Sequence, residues 1–406
     1  MTEPLTCTCV IAGGGPAGVM AGFLLARAGV DVIVLEKHAD FFRDFRGDTI
    51  HPSTMDVLGE LGLLDEFLEL PHAKVDHMDA MFGNTKVGLA DLTRLPTTSK
   101  FIAVMPQWDF LSFLADRGAR YRGFHLMMKT EATDLVFEGE RVAGVRARRD
   151  GAEIEINADL VVAADGRHST LRERGGFKVE DIGAPMDVLW MRISRHPDDP
   201  SNAFGHIEIG RFFIMLNRND YWQCAFVISK GSADNLMKQP IADFRAIVLS
   251  LSPWLGDRVN EIKSWDDVKL LTVAVDRLER WYRPGLLCIG DAAHAMSPVG
   301  GVGINLAVQD AVAAANILYA PLRDKAVTVD DLRKVEARRE FPTRVTQRLQ
   351  VFIQNRVIRR VLTGNAPPEP PLVLKLAQWF PVIQRLLARL IAVGVRPEHI
   401  HTPEVT

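Results

Sequence analysis

Apolar positions near the start of the chain follow the pattern of a strand, a helix and a second strand. Residues 5–12 form a mostly apolar run, residues 17–27 carry apolar side chains at helical spacing, and residues 30–35 form a second run. Short apolar runs are typical of buried strands, and a glycine such as Gly29 is typical of a helix end. The pattern predicts a βαβ unit with parallel strands.

The turn between the first strand and the helix is rich in glycine. It consists of Gly13, Gly14, Gly15, Pro16, Ala17 and Gly18, whose glycines fit the GxGxxG spacing. In a βαβ unit, these glycines allow a tight turn, close approach of the backbone to a pyrophosphate, and close helix–strand packing. Glu36, followed by Lys37, ends the second strand and is placed to accept hydrogen bonds from a ribose. Because the acid disfavours a 2′-phosphate, FAD or NAD fits this turn better than NADP.

A second strand-to-helix connection lies late in the chain. Residues 286–289 are an apolar run, and residues 301–318 carry apolar side chains at helical spacing. The connection and helix start include Gly290, Asp291, Pro298, Gly300, Gly301, Val302, Gly303, Ile304 and Asn305. Backbone with so few large side chains can approach a flat or phosphorylated ligand, and the N–H groups at a helix start favour an anion.

Residues 130–164 are predicted to form mainly β-structure. Residues 130–136 and 141–148 predict a hairpin, and residues 153–156 predict a further short strand. Residues 160–164 form a separate short apolar strand that ends in Asp165-Gly166. An Asp-Gly pair at a strand end is by itself only a common turn.

Two other segments carry candidate polar contacts near predicted helix starts. Arg46-Gly47 precedes a predicted helix at 52–61, so its guanidinium could contact cofactor phosphates, although a solvated basic loop is the ordinary alternative. His51 stands at the same helix start, where a capping or packing role is the simpler interpretation than a catalytic one. Gln107 opens another helix and could reach a cofactor, or lie on the surface.

Residues 185–275 differ from the preceding part of the chain in their pattern, which consists of β-rich segments joined by polar turns. The segments are 188–193, 206–210, 211–217 and 222–229. They predict a mostly antiparallel sheet, one face of which packs as core while the other could line an apolar pocket. The pattern leaves the register open, and the candidate pocket residues are Trp190, Phe213, Met215 and Trp222.

Composition narrows the class of protein. The chain has 406 residues and a formal net charge of −3, without the basic surplus of nucleic-acid-binding proteins. Its four cysteines do not suggest a disulfide scaffold, and Cys7 and Cys9 are interpreted as buried thiols rather than metal ligands. We find neither a signal-peptide pattern nor an apolar segment of about 18 residues, so we expect a cytoplasmic location.

Taken together and in this order, the motifs resemble those of the class A flavin monooxygenases, the single-component FAD-dependent aromatic hydroxylases of para-hydroxybenzoate-hydroxylase type. The matching segments are GxGxxG at 13–18, Arg46-Gly47, Gln107, Asp165-Gly166-Arg167, Gly290-Asp291 and Pro298 to Gly301. The resemblance implies an α/β fold with a Rossmann-like, three-layer ββα FAD-binding domain. It also implies an inserted, mostly antiparallel substrate domain and C-terminal helices.

The resemblance also implies interleaved domain boundaries. The FAD-binding domain would comprise residues 1–72, 101–180 and 276–345, the substrate domain 73–100 and 181–275, and the C-terminal helical region 346–406.

Roles for individual residues follow from the same resemblance. The FAD-binding residues would be Gly13, Gly15, Pro16, Ala17, Gly18, Glu36, Lys37, Arg46, Gly47, Gln107, Asp165, Gly166, Gly290, Asp291, Pro298, Gly301, Val302, Gly303, Ile304 and Asn305. Asp165 would serve both FAD and the nicotinamide donor. Pro298 and the N–H groups of Gly300 and Gly301 would be the catalytic elements at the flavin edge.

The implied reaction is hydroxylation of an aromatic substrate by a flavin C4a-hydroperoxide, formed from O2 after NADPH or NADH reduces FAD. Since the chain has only four tyrosines and an apolar sheet, we expect a bulkier phenol, quinol or polyketide-like ring rather than para-hydroxybenzoate. The alternative is an FAD-dependent reductase or oxidase on the same scaffold, without oxygen transfer. We expect no metal, no nucleic-acid partner, and a monomer or homodimer.

The C-terminal segment leaves two interpretations open. A Pro-rich break at 365–371 precedes an apolar stretch, 372–395, that contains Lys375, Arg385 and Arg389. Such a stretch is either a helix docked on the FAD-binding domain or an amphipathic helix that contacts a membrane surface and admits a lipophilic substrate.

Overall fold

The computed structural model describes residues 4–42, 49–83, 85–200, 204–364 and 369–405. Among these residues the strands are β1 (Leu5–Ala12), β2 (Val32–Leu35), β3 (Thr49–Ile50), β4 (Ala73–Val75), β5 (His77–Phe82), β6 (Thr85–Asp91), β7 (Ile102–Val104), β8 (Phe124–Met127), β9 (Thr130–Glu138), β10 (Arg141–Arg149), β11 (Ala152–Ala163), β12 (Val179–Asp181), β13 (Met186–Ser194), β14 (Phe204–Glu208), β15 (Arg211–Asn217), β16 (Tyr221–Ser229), β17 (Lys269–Leu271), β18 (Asp276–Leu278), β19 (Tyr282–Arg283) and β20 (Leu286–Cys288).

The α-helices within the same ranges are α1 (Pro16–Arg27), α2 (Pro52–Glu60), α3 (Leu64–Leu68), α4 (Gln107–Gly118), α5 (Thr170–Arg174), α6 (Ala233–Met237), α7 (Ile241–Leu251), α8 (Gly303–Arg323), α9 (Val329–Ile353), α10 (Arg359–Thr363), α11 (Leu372–Trp379) and α12 (Pro381–Ala392). A π-helical turn, Gln354–Ile358, joins α9 to α10.

The first sheet contains the predicted βαβ unit. Its main strand order is β19-β20-β11-β1-β2-β8, and β1 pairs in parallel with both β2 and β11. Residues of α1, α4 and α8 share one buried core with β1 and β2. The α/β, Rossmann-like prediction is therefore confirmed, because these helices cover one face of the parallel strands, while residues of β9 and β10 pack against the other face.

One strand boundary differs from the sequence-based expectation. The segments 153–156 and 160–164, expected as separate strands, belong to the single strand β11. Its first half pairs with β10 and its second half pairs with β1. The first half alternates polar and apolar residues because only one of its faces is buried, whereas the second half is apolar throughout because it enters the centre of the sheet.

The second sheet has the strand order β17-β13-β16-β15-β14-β5-β6. All of its neighbouring pairs are antiparallel except β14 and β5, which run parallel. Two separate parts of the chain contribute strands to it, since β5 and β6 come from 77–91 and the others from 186–271. A mostly antiparallel sheet was predicted for residues 185–275, and the structure confirms it.

Side-chain alternation in this sheet corrects the predicted pocket. Phe213, Met215 and Trp222 lie in a core shared with α6 and α7, on the face turned away from the late glycine-rich connection. Of the four candidates only Trp190 lies on the opposite face, in a cluster that also includes Val299. Because the pleat has a period of two, residues 213 and 215 necessarily face away from 212 and 214.

The C-terminal segment forms two helices that pack beside β6. The single apolar stretch expected at 372–395 is divided into α11 and α12 because Pro381 cannot donate the hydrogen bond that would continue the first helix. Ala388 and Ala392 of α12 are fully buried in a core that includes Leu92 and Val104. The inner face of α12 is therefore docked on the protein, but it packs mainly on residues 73–104, most of which belong to the predicted substrate domain rather than to the FAD-binding domain.

Two smaller expectations are also settled. All four cysteines are free and buried, as the interpretation of Cys7 and Cys9 as buried thiols required. The segment Val299–Arg323 has the length and hydropathy to cross a membrane, but 72% of its most apolar window is buried inside the protein, so it is a core helix.

Candidate active site

The first glycine-rich turn is tight at two positions and open at one. A Cβ atom on Gly13, which has a φ of +108°, would lie 2.3 Å from the carbonyl oxygen of Ala164, and one on Gly18 would lie 1.9 Å from the oxygen of Gly13. A Cβ on Gly15 would meet nothing within 4 Å. The turn therefore needs Gly13 and Gly18 for packing and leaves free space over Gly15, which fits the pyrophosphate of FAD.

Glu36 is fixed beside this turn. Its carboxylate is buried and accepts hydrogen bonds from the backbone N–H of Gly14, at 3.2 Å, and of His38, at 2.9 Å. The carboxylate thus stands at the carboxyl end of β2, where a ribose diol can donate to it. The side chain of Lys37 is exposed at the adjacent position.

The Asp165-Gly166 turn meets the first turn directly. A Cβ on Gly13 would lie 2.8 Å from Cα of Asp165. The Asp165 carboxylate accepts hydrogen bonds from Oγ of Ser169, at 2.5 Å, and from the N–H of Leu171, at 3.2 Å. Burial nevertheless raises the pKa of Asp165. Gly166, with a φ of +88°, has open space around it.

Gly290 brings the late connection against the same region. It adopts a φ of +59°, and a Cβ there would lie 3.0 Å from Cβ of Ala17 at the start of α1. Its N–H donates to Oδ2 of Asp310, at 3.0 Å. Asp291 follows it, half-buried, in a short 3-10 turn. Three motifs that are far apart in sequence therefore surround one site.

The loop from Pro298 to Gly301 leads into α8 with two residues of positive φ. Gly300 and Gly301 have φ values of +81° and +63°. The carbonyl oxygen of Gly301 accepts a hydrogen bond from Oγ1 of Thr49, at 2.9 Å. A Cβ on Gly303, the first residue of α8, would meet nothing within 4 Å. This arrangement leaves the N-terminal end of a 21-residue helix open to a flat, electron-rich ligand.

The other residues of this helix start hold α8 in place. Oδ1 of Asn305, which is buried, accepts hydrogen bonds from Oγ of Ser53, at 2.8 Å, and Oγ1 of Thr54, at 2.6 Å. Val302 and Ile304 are buried as well. The side chain of Asn305 therefore ties α2 to α8.

His51 connects the loop to the C-terminal helices. Its Nδ1 lies 2.9 Å from the carbonyl oxygen of Ile391 in α12. The imidazole is fully buried, which lowers its pKa to about 4 although the carbonyl oxygens of Ile391 and Gly301 oppose that shift. His51 is therefore neutral at physiological pH, and its Nδ1 carries the proton.

A buried ionic network contacts Gly290 through Asp310. Besides the Gly290 N–H, Asp310 accepts from Nε2 of His294, at 2.6 Å, and from Nε of Arg339, at 2.9 Å. Arg339 also pairs with Glu398, at 3.2 Å. Burial would raise the pKa of Asp310, but the contacts with His294 and Arg339 outweigh burial and hold that pKa below its usual value. Sequence analysis missed this network because its members are 16 to 59 residues apart in pairs.

The remaining candidate cofactor contacts are less defined. Gln107 is the first residue of α4 and is half-buried. Arg46 and Gly47 lie outside the residues that the structure describes.

Comparison with known proteins identifies the family of this chain. The FAD binding domain family matches residues 6–349. A curated relative, 6-methylpretetramide 4-monooxygenase of Streptomyces rimosus, is 31% identical over 387 residues, which cover 94% of this chain and 92% of that protein. This chain is a class A flavin monooxygenase.

One further curated relative and one solved structure are also similar to this chain. Digeranylgeranylglycerophospholipid reductase of Methanocella arvoryzae is 25% identical over 335 residues, which cover 81% of each chain. Among solved structures, OxyS anhydrotetracycline hydroxylase of Streptomyces rimosus aligns with a TM-score of 0.73 at 23% identity, over 96% of this chain and 76% of that one. The structural likeness shows that the monooxygenase shares this fold.

Proposed function

We propose that this monooxygenase hydroxylates a polycyclic, polyketide-like phenol, with NADPH or NADH as electron donor and O2 as the oxygen source. The observation that carries the proposal is the convergence of the turns at Gly13, Asp165 and Gly290 on one FAD site, next to the open start of α8. The substrate class is supported by the relative named for 6-methylpretetramide, which spans nearly the whole chain.

When bound, FAD supplies the redox chemistry: it accepts a hydride and, once reduced, activates O2 for transfer to an aromatic ring. The chain contributes binding, orientation and exclusion of water. The open N-terminal end of α8, behind Gly300 and Gly301, presents backbone N–H groups and the positive end of the helix dipole. Both favour the negative charge of a reduced cofactor, which stabilises the reactive state.

One face of the second sheet offers an apolar wall to the substrate. The face that includes Val299 in its cluster carries Val188, Trp190, Phe212, Ile214, Ala225 and Val227. Nε1 of Trp190 is buried and has no hydrogen-bond partner among the described residues. Because a buried indole N–H ordinarily donates to an oxygen, we assign it to a hydroxyl or carbonyl oxygen of the substrate.

The test is oxygen incorporation by the purified holoenzyme. We expect a panel of polycyclic phenols to stimulate NADPH or NADH oxidation, and one 18O atom from 18O2 to appear in the product by mass spectrometry. Trp190→Phe should raise KM about tenfold by removing one hydrogen bond that the buried site cannot replace. NAD(P)H oxidation that delivers 18O only to peroxide, or that saturates a double bond, would instead favour the oxidase or reductase alternative.

For partners, we propose that the outer face of α11 and α12 makes weak contact with an anionic membrane surface. Large apolar side chains point outward there, and Trp379 is 82% exposed and Val382 79%. Residues 370–395 contain Lys375, Arg385 and Arg389 and no acidic residue. An apolar face with interspersed cations suits an interface of anionic lipids through which a lipophilic substrate can enter.

Vesicle co-sedimentation tests this contact. The holoenzyme should bind vesicles that contain phosphatidylglycerol more than vesicles of phosphatidylcholine alone, and the double variant Trp379→Ser, Leu386→Ser should lose that binding. Phe137→Ser, which removes an exposed aromatic ring from β9, is the matched control and should bind as the wild type does. Absence of wild-type binding, or equal loss in the control, rejects the proposal.

A further inference from the structure

Three buried glutamines on one helix face the backbone that leads into the Pro298–Gly301 loop. They are Gln347 and Gln350 near the end of α9 and Gln354 at the start of the π-helical turn. Each is at most 3% exposed. Buried polar side chains are costly unless their hydrogen bonds are made, so the partners of these amides indicate what they are for.

Both polar atoms of the Gln350 side-chain amide form hydrogen bonds with the loop backbone. Its Nε2 donates to the carbonyl oxygens of Ser297, at 3.0 Å, and Val299, at 2.9 Å. Its Oε1 accepts from the N–H of Ser297, at 3.2 Å. One side chain therefore fixes both residues that flank Pro298.

The two neighbouring glutamines extend this contact in both directions. Nε2 of Gln354 donates to Oγ of Ser297, at 2.5 Å, and that oxygen also accepts from the N–H of Val299, at 3.2 Å. Nε2 of Gln347 donates to the carbonyl oxygens of Ala295, at 3.1 Å, and Asp276, at 2.7 Å. Side chains of one helix thus contact the backbone or side chain of Ala295, Ser297 and Val299.

The local helix geometry fits this use. Residues 347, 350 and 354 recur at intervals of three and four, so they lie on one face of the helix. At Gln354 the α-helix gives way to the π-helical turn Gln354–Ile358, and such turns occur frequently at functional sites. Ile358, at its end, packs in the same cluster as Val299. The helix therefore contacts the loop through both polar and apolar side chains.

We propose that Gln350, together with Gln354, is a positioning residue that holds Ser297 to Val299 in the conformation needed for oxygen transfer rather than peroxide release. The effect on oxygen transfer rests on the proposed function, whereas the positioning of the loop by Gln350 does not depend on it. Without Gln350, two carbonyl oxygens and one N–H lose their partners in a buried place, so the loop must shift to regain hydrogen bonds. A shifted loop misplaces the edge of the bound cofactor and admits water.

The experiment compares Gln350→Met with Gln309→Met in the holoenzyme. Gln309 is as buried as Gln350, but its Oε1 accepts from the backbone N–H of Glu398, away from the loop. Two readouts are needed: the visible circular dichroism of bound FAD, with iodide quenching of its fluorescence, and the ratio of peroxide to hydroxylated product per NAD(P)H oxidised.

We expect Gln350→Met to change the flavin dichroism, to increase quenching by iodide, and to raise the peroxide-to-product ratio about fivefold or more. Gln309→Met should lower the melting temperature, because the N–H of Glu398 loses its partner, and should leave both readouts as in the wild type. Wild-type dichroism and coupling in Gln350→Met, or equal changes in both variants, would overturn the inference. If no aromatic compound is hydroxylated even by the wild type, the proposed function fails, while dichroism and quenching still decide the positioning role.

Discussion

A buried, neutral His51 predicts a specific dependence of stability on pH. In the folded protein its pKa is about 4, against an ordinary value of 6.5, because burial disfavours the imidazolium. The unfolded chain therefore takes up a proton at a higher pH than the folded one does. The stabilisation is fully present above pH 6.5 and is lost as the pH falls from 6.5 towards 4.

The size of the effect follows from the two pKa values. The difference between them corresponds to about 3 kcal/mol in total, of which about 2 kcal/mol is lost at pH 5. The substitution His51→Asn removes the titrating group, while its amide can still donate to the carbonyl oxygen of Ile391. It creates a small cavity, but that contribution is the same at both pH values and cancels in the comparison.

The measurement is urea-induced unfolding of holoenzyme and variant at pH 7.5 and pH 5.0, with FAD in excess. We expect the wild type to lose about 2 kcal/mol more free energy of unfolding between these conditions than His51→Asn does. Contributions from other titrating groups are common to both proteins. If the two proteins lose equal stability within about 0.5 kcal/mol, His51 is not buried as a neutral imidazole, and the contact between α12 and this part of the site is not as described.

Three further outcomes are expected. Gly15→Ala should melt as the wild-type apoprotein does yet bind FAD more weakly in a fluorescence titration, whereas Gly13→Ala should be strongly destabilised, because only the latter Cβ meets backbone within 4 Å. Asp310→Asn should cost about 3 kcal/mol or more in urea unfolding because the buried guanidinium of Arg339 loses one of its two carboxylate partners, while Asp330→Asn, in an exposed pair, should change little. The four thiols should not react with Ellman's reagent at pH 8 until the protein is unfolded, since burial raises their pKa values, that of Cys7 to about 12.

The glycine-rich motifs could be recognised from sequence because their function requires particular residue types at fixed local spacing. Gly13 and Gly18 are forced by contacts a few residues away or at the end of the adjacent strand, and Gly300 and Gly301 by their positive φ values. Such constraints appear directly in the sequence. The structure then places Asp165 against Gly13 and Gly290 against Ala17, as the order of strands in a parallel sheet requires.

The residues that line the pocket could not be predicted from local sequence in the same way. The residues at 212–215 are Phe, Phe, Ile and Met, all apolar, so alternation gives no indication of which pair faces the core of α6 and α7.

The division of 372–395 into two helices could have been predicted from the sequence, because Pro381 interrupts the apolar stretch.

By itself, then, the sequence determined the βαβ unit, the glycine turns and the buried thiols, because each depends on neighbouring residues, and the order of its motifs indicated FAD. Tertiary structure alone decided the rest. It selected Trp190 rather than Phe213 for the face shared with Val299, paired Asp310 with Arg339, and brought Gln350 to Ser297 across 53 residues. A glutamine on a helix carries no mark of its partner, because long-range packing chooses which backbone groups its amide meets.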